Sequence, residues 1–189
     1  MNELEFLRSQ VRLERTHMRD VRAALGDALR RSPAPPGLDA SAQAAARYLV
    51  FVLRRFVMQD RMHCSQLATR VGAAQGLEAA ERARIDGALR DLAMALDDVA
   101  TATDALAGAL DARQRGAMEP QEWLEACAAF DRFYEAHLVQ RRHQLSLWLE
   151  SYYDIADWRR SSCVDAESVF EERRLHEEAL RALAALPSP

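Results

Sequence analysis

A chain of 189 residues with 49% hydrophobic and 29% charged content is long enough for one domain with a sizeable core. Its formal net charge of −4 and pI near 5.8 exclude the concentrated basic surface of a dedicated nucleic-acid binder. Gly and Pro are scarce, at 7 and 6, and no alternating β-branched run occurs, so the composition favours helices.

In chain order the periodicity predicts an all-α protein of five helical segments. The first runs from about Asn2 to Arg30, with Leu4, Leu7, Val11, Glu14, Met18, Val21, Leu25 and Ala28 on one face. Three prolines and a glycine between Ser32 and Ser41 then stop it. A second helix, capped by Asp39 or Ser41, carries Leu49, Val52, Phe56, Gln59, His63, Leu67 and Val71 as its inner row. The third, from about Leu77 to Asp111, has the most regular stripe, Ile85, Leu89, Leu92, Leu96, Val99, Thr103, Leu106 and Leu110. The fourth is expected from about Gln121 to Tyr152, its row being Cys127, Phe130, Tyr134, His137, Arg141, Leu145, Trp148 and Tyr152. Helices of roughly 30 residues, ~45 Å long, joined by short connections, predict an up-down-up-down four-helix bundle over residues 1–152. Residues 153–189 form a tail and an extra C-terminal helix, about Asp165 to Leu186. Its thin apolar side of Val169, Phe170, Leu180 and Leu183 would lie across a bundle end or on a partner.

Several classes of function are disfavoured. The amino terminus is charged from its third residue, and the longest apolar run, Tyr48 to Leu53, is far below the roughly 20 residues of a membrane span; a soluble cytoplasmic protein is expected. Cys64, Cys127 and Cys163 are odd in number and widely spaced, so they read as buried or inert thiols. Every basic residue is Arg, and the pairs Arg30-Arg31, Arg54-Arg55, Arg141-Arg142 and Arg159-Arg160 read as solvated faces. No nucleophile-base pairing or phosphate-binding glycine loop supports catalysis, so the chain is expected not to be an enzyme.

The informative positions are polar residues on apolar rows: Glu14 with His17 on its edge, Gln59 with His63 and the flanking Asp60, Arg82 at the start of the third helix, and His137 with Arg141. Buried polar or charged groups need partners or a ligand. His143 and His176 are assigned to the surface.

The segment Leu13-Glu14-Arg15-Thr16-His17-Met18-Arg19-Asp20-Val21-Arg22-Ala23-Ala24-Leu25 resembles the first helix of the hemerythrin-like (HHE cation-binding) family, and the order of later segments is also similar. The resemblance covers roughly the first 150 residues. It implies a four-helix bundle holding two non-haem irons, with His17 and His137 as the helix-one and helix-four histidines. Elsewhere the chain departs from the pattern: the helix-two ligands fall on Gln59 and His63, a helix-three histidine on Arg82, and a helix-four carboxylate on Arg141.

Two versions of the interior follow. In one, His17, His63 and His137, with Asp60 or Glu14, hold a single divalent ion such as iron, zinc or nickel. In the other, which is preferred, Arg82 and Arg141 pair with Glu14, Asp60 or Glu81, and no metal is bound. The corresponding functions are a metal protein that senses or carries oxygen or a small ligand, or stores iron, and a regulatory or interaction module with a degenerate metal site. A protein partner on the C-terminal helix, or a homodimer, is the expected association, without nucleic acid or membrane.

Overall fold

A computed structural model describes residues 3–161 and 165–187, and all regular structure among them is helical. The seven helices are α1 (Glu3–Leu29), α2 (Leu38–Ala73), α3 (Ala79–Gln114), α4 (Pro120–His137), α5 (Val139–Tyr152), α6 (Ile155–Ser161) and α7 (Ala166–Ala184). Among the described residues no helix is long and apolar enough to cross a membrane.

The rows predicted for the first three helices are the rows that pack. From Val11 onward, every apolar member of the α1 row is buried, as are all members of the α2 and α3 rows. Large side chains such as Leu49, Leu67, Ile85 and Leu96 reach 2% exposure or less, and each contributes about 1.5–3 kcal/mol by leaving water. The end groups differ from expectation. Neither Asp39 nor Ser41 caps α2, which starts after Gly37 in a left-handed conformation (φ 85°) that favours glycine. Asp39 instead accepts from Arg113 Nε of α3 at 2.8 Å, and Ser41 Oγ donates to the Ala182 carbonyl of α7 at 2.8 Å. Pro120 and a reciprocal Glu119/Glu122 capping box open α4.

The expected fourth helix is two helices. Its hydrogen-bonded turns part at Leu138 (φ −116°, ψ −36°), which closes α4 and precedes α5. Inward positions then run Phe130, Tyr134, Leu138, Arg142, Leu145, so the chain takes steps of four where the predicted row takes three. α4 packs on α1, whereas α5 packs on α2, α3 and α4, and its backbone does not come close to that of α1 among the described residues. An opening between α1 and α5 follows from this parting.

The C-terminal helix lies on the body of the molecule. α7 packs against α1 and α2 through Glu172, Leu175, Ala179 and Leu183, whose apolar members belong to the same core as α1–α5. Of the four residues on its predicted apolar side, Leu183 is buried and Phe170 is 71% exposed. α2 has so many buried residues because α1, α3, α4, α5, α6 and α7 all touch it.

Candidate functional site

Three carboxylates with 2% exposure or less mark the polar interior among the described residues: Glu14, Asp60 and Glu172. Asp60 has 0% exposure, and both its oxygens are engaged. Arg15 Nη2 of α1 donates to Oδ1 at 2.8 Å, and Arg142 Nε of α5 donates to Oδ2 at 3.0 Å. One buried carboxylate thus ties α1 to α5 in the interior, where their backbones stay apart. Burial alone would raise the Asp60 pKa, but the charges of Arg142 and Arg15 outweigh it and hold the carboxyl below its usual range. Arg15 is pushed down to about 10 by burial and by Arg142, and remains charged at neutral pH. Its guanidinium also lies 3.6 Å from the centre of the Phe56 ring, a cation–π contact.

His63 follows Asp60 by one turn of α2 and is fully buried. Its ring meets Tyr153 and Trp158, with centroids 5.5 and 5.6 Å away. The Tyr153 hydroxyl donates to the His63 carbonyl at 3.1 Å, so it is an acceptor toward Nδ1, 3.4 Å away. That assigns the proton to Nδ1 and leaves Nε2 as a lone-pair acceptor without a partner. Burial pushes the His63 pKa down to about 4, with Arg142 and Arg15 adding to the shift and Asp60 opposing it. The imidazole is neutral at physiological pH.

These groups wall a cavity of about 300 Å³ between α1 and α5, which His63 of α2 and Trp158 of α6 also line. Its apolar walls include Val11 and Leu149, and the exposed ion pair Arg12–Glu150 (2.7 Å) lines its outer side. Arg8 lies with its guanidinium 5.5 Å from the Trp158 ring centre.

The five residues predicted to share a metal site are dispersed among separate partners. His17 Nδ1 lies 3.1 Å from Glu172 of α7, and its ring stacks on His176 with centroids 3.8 Å apart. The Tyr48 hydroxyl donates to the same Glu172 oxygen at 2.9 Å. His176 is therefore half-buried and not on the surface, and burial, followed by the neighbouring His17, lowers its pKa. Glu14 accepts from Gln10 at 3.1 Å and pairs with Arg55 at 3.4 Å. His137 is exposed at the end of α4, stacked on Phe133 with centroids 4.3 Å apart. Among the described residues no three His, Cys, Asp or Glu side chains are grouped to hold a metal ion. Two guanidinium groups occupy the Asp60 oxygens, and a guanidinium is not a ligand. This donor set does not fit a diiron centre or a three-histidine site.

The interior arginines also differ from those expected. Arg141 is exposed and donates to the His137 carbonyl at the end of α4; Arg82 donates to the Ala74 carbonyl at 3.0 Å, and Glu81 pairs with Arg84. The cations that meet Asp60 and Glu14 are Arg15, Arg142 and Arg55. Two supposed surface pairs split accordingly, with Arg54 on exposed Asp104 and Arg55 turned toward Glu14, while Arg142 turns in and Arg141 out. Arg15 was legible in principle, because Val11, Arg15 and Met18 keep helical spacing beside the Glu14 row. Cys64 and Cys127 are buried free thiols pushed up to about 12 by burial, which makes them inert at neutral pH; Cys163 lies outside the described residues.

No family model matches the chain, and no curated protein or solved structure matches it either.

Proposed function

We propose that this chain is a non-catalytic helical module with a regulatory or interaction role, whose interior is organised by arginine–carboxylate pairs in place of a metal centre. What carries this reading is Asp60: a carboxylate with no exposure and an arginine on each oxygen has its charge met by guanidinium groups and not by a metal. The reading includes an up-down-up-down arrangement of the four long segments. It is supported by contacts of α1 with α2, α2 with α3, α3 with α4 and α4 with α1, and by the lack of contact between α1 and α3 among the described residues. An association face is supported by Phe6 and Phe170, 49% and 71% exposed, which line one cleft between α1 and α7.

Protein purified without a polyhistidine tag is expected to contain no stoichiometric transition metal. Adding iron or zinc, or a chelator, should leave its melting temperature unchanged, because a ligand of the folded state alone would raise it. Stoichiometric iron with an oxo-bridge absorption band would overturn the proposal.

A further inference from the structure

The cavity between α1 and α5 has more hydrogen-bonding capacity than the protein uses. Arg15 donates to Asp60 through Nη2 only, and its buried Nε and Nη1 have no partner among the described residues. The same holds for Arg8 Nε and Trp158 Nε1. All three side chains line the cavity. An unmade hydrogen bond of this kind costs about 1–3 kcal/mol per buried group, so several around one space indicate that something else completes them.

Charge gives the sign of the missing group. Arg8, Arg12, Arg15 and Arg142 line the space, against Glu150 on its wall and Asp60 behind it, which leaves two positive charges in excess. Glu150 is taken by Arg12 and Asp60 by Arg15 and Arg142, while Arg8 meets no carboxylate among the described residues. Val11, Leu149 and the Trp158 ring give the space an apolar surface, with the hydroxyl residues Thr16 and Ser146 also on its wall. His63 Nε2, an acceptor in its assigned tautomer, makes no hydrogen bond among the described residues and is unsuited to a second anionic group.

We infer that this cavity binds a small organic monocarboxylate, its carboxylate held by Arg15 and Arg8 and its apolar body against Trp158, Val11 and Leu149. The inference rests on the reading that arginines, not a metal, hold Asp60. A planar carboxylate matches the paired donors of a guanidinium, and an aliphatic or aromatic body fills a pocket that inorganic anions leave empty.

Thermal unfolding and titration calorimetry on the full chain test it, with benzoate and hexanoate as probes, benzamide as the neutral isostere, and inorganic phosphate as an anion without a body. The expected result is a saturable rise in melting temperature with at least one carboxylate, none with benzamide, and at most a small one with phosphate. Arg8→Met, which leaves the Asp60 pairs intact, should weaken binding by about tenfold or more. Arg15→Met should abolish it, and the Arg8 variant keeps the test decisive if that protein is unstable. Binding of benzamide or phosphate as tight as benzoate, no response to either carboxylate by folded wild type, or unchanged affinity in Arg8→Met would each overturn the inference. Metal content measured on the same preparation separates the failures. Stoichiometric metal sinks the arginine reading, whereas metal-free protein without carboxylate binding sinks this inference alone.

Discussion

Along α3 the interior is apolar from Ile85 to Leu110, interrupted only by Thr103, whose hydroxyl donates to the Val99 carbonyl of its own helix at 2.7 Å. Between α1, α2 and α5 the interior is charged, with Asp60 and its two arginines where a bundle would ordinarily place leucines. The two regions are stabilised differently. Apolar packing on α3 is non-directional and tolerates exchange of one hydrocarbon for another of similar volume. The charged cluster depends on completeness, since each member is desolvated and only its partners offset that cost.

The largest contrast is expected from truncation. Leu96→Ala in the α3 stripe should lower stability by about 2–5 kcal/mol through lost burial and a cavity. Asp60→Ala should lower it by roughly 3–5 kcal/mol, because two buried guanidinium groups are left facing one another. The origin of the loss shows in the rescue. Combining Asp60→Leu with Arg15→Met and Arg142→Met should recover most of it in urea unfolding, whereas no second substitution is expected to rescue Leu96→Ala so fully. Equal resistance of both sites to rescue would erase the distinction.

A smaller effect is expected from pH. The folded pKa of His63, about 4, lies below the ordinary value of 6.5 because of burial and the adjoining Arg142 and Arg15, against the pull of Asp60. Between these values the unfolded chain binds the proton that the folded chain refuses, so stability is present above pH 6.5 and falls as pH drops toward 4. The loss from pH 7 to 4.5 should be roughly 2–3 kcal/mol. His176, also lowered, adds in the same direction, and Asp60 contributes only at lower pH still. His63→Gln should remove most of the slope in chevron or equilibrium unfolding at the two pH values. A slope unchanged by that substitution would place the proton elsewhere, with His176 as the next candidate.

The same contrast explains what could be read from the chain. Apolar rows on α1, α2 and α3 follow from spacing alone, since burial of a stripe needs no knowledge of its partner. Partners of the charged positions are non-local: Arg15 and Asp60 are separated by 45 residues, Asp60 and Arg142 by 82, and Tyr48 and Glu172 by 124. No local pattern selects Arg142 over Arg141 or Arg55 over Arg54. One clue to the place of α7 did exist. Ser41, Ala44, Ala45 and Tyr48 are buried on α2 outside the predicted row, and α7 meets that side through Ser41–Ala182 and Tyr48–Glu172.

The finest comparison is within one arginine pair. Arg142 lies on the row that reads Tyr134, Leu138, Arg142, Leu145, and its Nε and Nη1 reach Asp60 and Ser146 at 3.0 and 2.8 Å. Arg141 is exposed and donates to the His137 carbonyl, one turn back at the end of α4. Arg142→Ala should cost roughly 2–3 kcal/mol, less than loss of Asp60 because Arg15 still meets one carboxylate oxygen. Arg141→Ala should stay within about 0.5 kcal/mol of wild type. The two variants differ by one position in sequence and are matched in charge and volume lost, so the difference between them reports the register after Leu138 and little else. If Arg141→Ala were the damaging member, the chain would continue past Tyr134 in a step of three. Arg142 would then leave Asp60, and the cavity between α1 and α5 would lose the pair that holds its two sides together.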